Sequence, residues 1–397
     1  MIYPVISLRP GKEAALHYHH PWVFSGALQQ IPDTVQHGDL VYLVTSTGEI
    51  IATGMYSRHS QIAVRILEFA QAAITQDWFV KQFRARQAER EMLGYGPKTP
   101  TNSYRLIFGE SDGIPGLIID RYNQVFVMQI NTAGMDRLRE MIIAALQSVF
   151  SPDCIVEKSD TGERLKEQLS EVTGIVFGAL PDSLLITEYG LEYIVDPLQG
   201  QKTGFFLDQK DLRQRVRQWA KGKTVLNLFS YTGAAGMAAL AGGAVTVCNV
   251  DASEEALAGG ERHRLLAGYS PEHLTQEKAD IFQWLSDGSR RGQTYGMVLM
   301  DPPALIKSQK DQEHGLKAYH FLNRAAMRLV EPGGLFVTSS CSQYLSEEDL
   351  LNILKRASIQ NNRRVRIIDM VQQAPDHPIS PYFPESFYLK SIVCMVE

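Results

Sequence analysis

Cys341 stands apart from the other three cysteines of the chain. It lies in Thr338-Ser339-Ser340-Cys341-Ser342, polar on both sides and at the end of an apolar β-type run, whereas Cys154, Cys248 and Cys394 sit inside apolar runs and read as core. A thiolate is a soft nucleophile, but a free thiol with a pKa of about 8.5 is only a few per cent ionised at pH 7, so a cation or turn amides must lower it. Lys307 is a candidate for that cation. A buried structural cysteine is the competing reading. A second reactive stretch, M-V-L-M-D-P-P-A-L-I-K-S-Q-K-D, carries Asp301 at the end of another apolar run. Its two prolines fix the chain and remove backbone donors, so the carbonyls of the loop are free to face a ligand.

A third stretch, V-L-N-L-F-S-Y-T-G-A-A-G from Val225 to Gly236, reads as strand, turn and small-residue helix. That is the start of a nucleotide-binding α/β unit. A following strand closes at Asp251, 18 residues after Gly233. Glycine lets the backbone approach a ligand, and an acid at the tip of the second strand can accept both ribose hydroxyl protons. Written as G-x-G-x-x-G, the window has bulky Tyr231 in place of the first glycine, which makes the pyrophosphate turn. A diphosphate fits poorly, which disfavours a nicotinamide cofactor. S-adenosylmethionine carries no phosphate and is the expected ligand. A structural turn with incidental glycines is the alternative. In A-D-I-F-Q-W-L, Asp280 and Phe282 either receive the adenine amino group and ring or, for Asp280, cap a helix.

A methyl donor beside a thiol narrows the target. Amino-group methyltransferases use Asp/Asn-Pro-Pro-aromatic, stacking the base on the aromatic ring, and here Ala304 takes that place. A carbon target is then expected. Carbon 5 of cytosine takes a methyl only after attack at carbon 6, and a thiolate is the natural agent. Asp301 would hydrogen-bond the base at N3 or N4 as the thiolate adds.

The elements that must hold these groups follow from the rest of the chain. Its 397 residues suit two or three domains. Residues 1–72 read as a small all-β domain, including H-Y-H-H-P-W-V-F-S-G-A-L, whose rings could stack on bases or plug a barrel. Residues 73–186 read as a central α+β domain. It has a helix from Asp77 to Met92, three β-type runs, a helix from Met135 to Phe150 and a strand at Cys154 to Glu157. Residues 187–397 follow a hairpin at Leu184 to Val195 and alternate helix and strand, with strands at 224–229, 244–250, 295–301, 334–341, 363–370 and 387–396 and a faint one in L-T-Q-E-K-A-D. This alternation predicts a mostly parallel sheet with ligands at the carboxyl ends of its strands, where Asp251, Asp280, Asp301 and Cys341 all fall.

Composition, 44% hydrophobic and 21% charged, is that of an ordinary globular protein. Net charge is −5, which advertises no nucleic-acid binder, yet basic residues cluster at Arg84, Arg86 and Arg90, at Arg213, Arg215 and Arg217, at Arg262 and Arg264, at Lys307 and Lys310, and at Arg363, Arg364 and Arg366. Each cluster could bind phosphates or be a solvated helix face. The N-terminus has no long apolar run, and the uncharged stretch Gly233 to Val250 reads as buried helix and strand, so neither a secretory leader nor a membrane span is expected. Four cysteines without a C-x-x-C pair suit the cytoplasm and argue against a metal site.

H-P-W-V-F-S-G and the strand order of the first domain resemble the PUA domain, a pseudo-barrel that binds RNA. D-P-P-A-L-I-K-S-Q-K-D, E-P-G-G-L-F-V-T-S-S-C-S, N-L-F-S-Y-T-G, G-Q-K-T-G-F-F-L-D-Q-K-D-L-R, S-D-G-I-P-G-L-I-I-D-R-Y and D-H-P-I-S together resemble the RlmI-type cytosine-C5 methyltransferases of large-subunit ribosomal RNA. The resemblance covers essentially the whole chain. It implies an α/β fold: an N-terminal PUA barrel, a central α+β domain and a C-terminal Rossmann-like class I methyltransferase domain. It implies 23S ribosomal RNA as partner, and it leaves open whether the chain forms a homodimer. Cys341 is implied as nucleophile with Asp301 beside it. Asn227, Phe229, Ser230, Tyr231, Thr232, Gly233, Asp251, Ala252, Asp280, Ile281, Phe282, Asp301 and Pro302 are implied around S-adenosylmethionine. Thr203, Phe205 and Gln209 are implied in a loop, Gln201 to Gln209, that closes over the methionine end.

The chain departs from related patterns at three places. Pro303 stands where other RNA m5C enzymes have a second cysteine, His263 and Ala267 stand where the family often has Asn, and Gly233-Ala234 replaces its Gly-Gly. Two rivals remain. A guanine-N7 or N2 RNA methyltransferase would keep full activity in Cys341→Ala, and a silent RNA-binding assembly factor would bind RNA but no methyl donor.

Overall fold

Short apolar runs that cannot stay in water lie side by side in the C-terminal half and bury both faces under helices. The computed structural model describes residues 3–287 and 292–397. It places β1 (Thr224–Leu228), β2 (Thr246–Asp251), β3 (Leu274–Lys278), β4 (Tyr295–Met300), β5 (Val330–Ser340), β6 (Val365–Gln372) and β7 (Lys390–Val396) in one sheet of order β3-β2-β1-β4-β5-β7-β6. The first five are parallel, and β7 runs antiparallel to β5 and β6. The helices of this unit are α1 (Lys210–Trp219), α2 (Ala234–Ala241), α3 (Glu254–Leu266), α4 (Ile281–Ser286), α5 (Gln312–Met327) and α6 (Glu347–Gln360). Leu226, Leu228, Val298, Met300 and Phe336 of the sheet pack with Tyr319, Leu322 and Leu354 of the helices in one core. Strand order reverses between β1 and β4, and a crevice for a ligand opens at such a switch point. The faint strand expected in L-T-Q-E-K-A-D is β3, whose side chains are mostly half-exposed, so its apolar signal is weak.

The chain divides into two compact units. The sheet just described belongs to the second, made of Thr187–Ile194, Asp208–Ala374 and Phe387–Glu397. In the first unit, Trp22–Phe24, Ile62–Glu68, Ile50–Tyr56, Leu40–Val44, Val5–Leu8 and Leu28–Gln30 form a six-stranded sheet in that order. A five-stranded sheet follows, ordered Val172–Gly178, Cys154–Ser159, Val125–Ile130, Leu117–Tyr122 and Ser103–Phe108. Helices Gln76–Met92 and Arg139–Phe150 pack on it through Phe79, Phe83, Ile142 and Leu146.

Two local expectations need correction, and one strand was not foreseen. The helix expected from Met135 to Phe150 is two pieces, Ala133–Arg137 and Arg139–Phe150, separated at Leu138. The edge strand Val172–Gly178 gives little apolar signal because its residues are half-exposed or exposed. Arg90 does not join an exposed basic face: it is 2% exposed and donates to Asp112 Oδ2 and Arg105 O.

Candidate active site

The loop after β1 combines three left-handed residues within five positions. Phe229 has φ +58°, Tyr231 +49° and Gly233 +70°. A non-glycine residue in that region costs about 1–2 kcal/mol, and such strain persists only where the surroundings hold it. Tyr231 therefore makes the turn that glycine was expected to make, so any exclusion of a diphosphate comes from its side chain and not from its backbone. Asn249, fully buried under the loop, accepts from Asn227 Nδ2 at 2.9 Å. A Cβ on Gly233 would lie 2.4 Å from Asn249 Nδ2, and one on Gly236 would lie 2.6 Å from its Oδ1. Both glycines are thus required by close approach. From the other side α3 brings Gly259 and Gly260 against Thr232, where a Cβ would meet Cγ2 at 2.9 Å and the carbonyl at 3.2 Å.

His263, 1% exposed, holds the same loop from α3. Its Nδ1 is 3.0 Å from Thr232 O and its Nε2 3.0 Å from Ile194 O. Both neighbours only accept. Burial pushes the imidazole below its ordinary range and outweighs the two carbonyls, which favour the charged form. At neutral pH the ring therefore carries one N–H, which donates to either Thr232 O or Ile194 O according to its tautomer.

Around this loop the strand ends present carboxylates. Asp251 Oδ2 accepts from Tyr231 N at 2.8 Å and Oδ1 from Ser253 N at 2.9 Å, leaving one lone pair on each oxygen to face a ligand. Ala252 follows it. Asp280 caps α4 by accepting from Gln283 N at 2.9 Å, so the capping reading holds there and leaves Oδ2 available for a second partner. Ile281 is buried, and Phe282 stacks one face on Phe321 at 5.9 Å between centroids. Asp301 follows β4 and accepts from Gln209 Nε2 at 2.6 Å, with buried Pro302 next. Ser230 Oγ is buried and has no hydrogen-bond partner among the described residues. An unpaired buried hydroxyl in the strained loop fits a polar ligand at this place.

Cys341 lies just past β5, half-buried, on the strand neighbouring β4, with Met300 opposite Thr338. Its two neighbours tie it to the Asp301 loop. Ser340 Oγ donates to Tyr319 OH at 2.9 Å, and Ser342 Oγ donates to Ile306 O at 2.6 Å. Burial pushes the Tyr319 phenol up to about 12, so it stays neutral as a hydrogen-bonding link. The expected cation, Lys307, is exposed. The basic residue beside the cysteine is Lys390, 5% exposed, whose Nζ donates to Ser342 O at 2.8 Å and Leu345 O at 2.7 Å. Of the remaining cysteines Cys154 and Cys394 are buried, Cys394 with its thiol pushed up to about 12, while Cys248 is only half-buried.

Thr203 and Phe205 belong to the first unit. There Thr203 Oγ1 donates to Asp120 Oδ2 at 2.5 Å and lies 2.8 Å from Tyr122 OH, which also donates to Phe205 O at 3.4 Å. Asp120 is held by a bidentate pair with Arg105. Asn249, His263, Tyr319 and Lys390 are the residues that sequence reasoning did not assign to the site. The polar Asn inside the apolar run T-V-C-N-V was the one available signal.

Comparison with known proteins bears on the same residues. Residues 6–69 match a PUA-like domain, and residues 173–380 match the S-adenosylmethionine-dependent methyltransferase family. The ribosomal RNA large subunit methyltransferase I of Pseudoalteromonas atlantica is 37% identical over 393 residues, covering 98% of this chain and 99% of its own length. The protein of that name from Shewanella amazonensis is 38% identical over 393 residues, with the same coverage. That from Klebsiella pneumoniae is 37% identical over 398 residues, covering 100% and 99%. Among solved structures, a methyltransferase complexed with S-adenosylhomocysteine superimposes with a TM-score of 0.84 at 23% identity over 100% of both chains. A second, from Streptococcus mutans, gives 0.83 at 24% over 100% of both. The chain is thus an S-adenosylmethionine-dependent methyltransferase by family and belongs to the ribosomal RNA large subunit methyltransferase I family.

Proposed function

We propose that the protein methylates carbon 5 of a cytosine in 23S ribosomal RNA through a covalent adduct with Cys341. The observation that carries this reading is the half-buried thiol at the end of β5, roped to the Asp301 loop by Ser340, Tyr319 and Ser342. S-adenosylmethionine, when bound, supplies an electrophilic methyl group on its sulfonium. The loop Phe229 to Gly233, Asn227, Asp251 with Ala252, and Asp280 with Ile281 and Phe282 would hold it. Asp251 would accept from the ribose hydroxyls, Asp280 through its second oxygen from the adenine amine, and the free face of Phe282 would meet the ring. Gln209, bonded to Asp301, would close over the methionine end, and Pro302 stiffens the loop against the target base.

Cys341 adds through its sulfur to carbon 6 of the cytosine, and the displaced π pair makes carbon 5 nucleophilic toward the methyl group. Asp301, hydrogen-bonded to N3 or N4, keeps a proton on the ring as the thiolate adds, so negative charge does not build up there. Once the methyl group is on carbon 5, transfer of the C5 proton to a water acting as base restores the double bond and expels the thiolate of Cys341. A base inside a duplex cannot reach such a pocket, so the cytosine must leave its stack. The PUA-like domain and the central sheet would grip RNA by backbone and shape, with an affinity that falls as salt rises. The relatives' names carry the same RNA assignment.

The test is mass spectrometry of nucleosides from ribosomal RNA, with and without the gene and after complementation with Cys341→Ala. The expected result is one 5-methylcytidine lost on deletion and not restored by the variant. Full restoration by Cys341→Ala, or loss of a methylguanosine instead, overturns the proposal.

A further inference from the structure

Lys390 stands at the first position of β7, the strand that returns from near the end of the chain and pairs antiparallel with β5. Its register partner is Ser340, the residue immediately before Cys341. The side chain is 5% exposed, and both of its hydrogen bonds run to the carbonyls of Ser342 and Leu345, in the turn that follows the cysteine. Among the described residues no carboxylate forms an ion pair with it. Phe387 lies beneath the ammonium at 5.5 Å from the ring centroid.

A buried ammonium held by two neutral carbonyls and one ring is costly compared with an apolar side chain of the same length. Glu347 and Asp349 offset part of that cost without pairing with it, and a negative charge forming at the turn offsets more. Cys341 is the group positioned to supply one, being next to Lys390's register partner and one residue from an oxygen that Nζ binds. Burial lowers the ammonium's affinity for its proton, and negative charge at Cys341, Glu347 and Asp349 raises it. The interaction is mutual: whatever an ionised Cys341 does to hold the proton on Lys390, the ammonium does to release the proton from the thiol.

We infer that Lys390 is the cation that poises Cys341 as a thiolate and, through Ser342 O and Leu345 O, the residue that fixes the turn carrying it. The inference rests on the reading of Cys341 as nucleophile. Lys390 is a positioning residue, since no reacting atom touches it.

The test reads the charge on the sulfur directly. In the full chain with Cys248→Ser, so that Cys341 is the half-buried thiol left, the rate of alkylation by iodoacetamide is followed from pH 5.5 to pH 10, with the modified peptide identified by mass. Lys390→Met and Lys390→Gln should each raise the midpoint by about one unit or more, a tenfold or larger loss of thiolate at pH 7. Methyl transfer at pH 7 should fall in proportion and recover toward pH 9, with S-adenosylhomocysteine affinity unchanged. Lys390→Arg should keep a low midpoint. The glutamine variant retains a donor for the turn carbonyls, so it separates charge from support even if the methionine variant fails to fold. An unshifted midpoint in Lys390→Gln overturns the inference. If instead Cys341→Ala stays fully active, the nucleophile reading fails, while the alkylation profile still reports whether Lys390 charges the sulfur.

Discussion

Gly233→Ala should cripple the methyl-donor site through two separable costs. The new residue inherits φ +70°, which an L side chain tolerates at about 1 kcal/mol, and its Cβ falls 2.4 Å from Asn249 Nδ2, deep inside any allowed contact. Asn249 cannot swing away freely, because it is fully buried and its Oδ1 accepts from Asn227. Relieving that overlap costs about 1–3 kcal/mol by analogy with overpacked cores. The total, about 2–4 kcal/mol, corresponds to roughly 30- to 1000-fold in affinity if the loop must be pulled into shape by the ligand. Calorimetric titration with S-adenosylhomocysteine, paired with thermal unfolding of the free protein, shows how the cost divides between binding and folding. Asn249→Ala removes the obstacle but leaves the Asn227 amide without its acceptor, about 1–3 kcal/mol by itself. The double variant should therefore lose less than the two singles together, with a coupling of about 1–3 kcal/mol, while the cost of φ remains. Strict additivity, or a Gly233→Ala protein that binds and melts like the parent, refutes the argument from close approach.

Other perturbations test the supports. Burial holds the His263 imidazole below its unfolded value of 6.5, so the unfolded chain binds the proton more readily and stability must fall as pH drops below about 6.5. One proton gives a slope of up to about 1.4 kcal/mol per pH unit, and urea unfolding between pH 5 and pH 7 should show His263→Gln with a flatter profile than the parent. Arg213→Met leaves Glu188, 2% exposed and now bonded bidentately at 2.6 Å, as a buried charge without its partner. A loss of about 3–5 kcal/mol, or about 6–20 °C in the melting temperature, is expected, and a shift under 2 °C would contradict it. Tyr319→Phe strands the buried Ser340 hydroxyl that donates to it. It should lower stability by about 1–3 kcal/mol and slow methyl transfer, with S-adenosylhomocysteine binding by calorimetry unchanged.

The legible parts of the fold were those where one local signal suffices. Apolar runs ending at Asp251, Asp301 and Cys341, with a faint one before Asp280, announced a mostly parallel sheet, and the observed order β3-β2-β1-β4-β5-β7-β6 is one. The charge clusters misled because a sequence shows only how close arginines are along the chain. Arg90 and Arg213 are buried in ion pairs, Arg264 is paired with Glu261, and Arg363 donates to backbone carbonyls, whereas Arg84, Arg262, Lys307 and Lys310 remain exposed. The helix at Met135 read as continuous because its apolar period survives the break at Leu138, which is a change of backbone angle and not of polarity.

The residues that shape the chemistry are harder to read for a topological reason. A parallel strand places its neighbours at one end through long crossovers, so the partners of Ser340 and Ser342, on either side of Cys341, come from far along the chain: Ile306 and Tyr319 from before it, and Lys390 from β7 after it. Lys307 was one candidate for the cation with no spacing argument to fix it, and it lies exposed beside buried Ile306. Lys390 reaches the turn after Cys341, at the carbonyls of Ser342 and Leu345, because antiparallel pairing reverses the chain and sets residue 390 opposite residue 340. A mixed sheet therefore does something here that a wholly parallel one would not: its reversed strand delivers a buried charge to the carboxyl end of β5, where an unassisted thiol would remain almost entirely protonated.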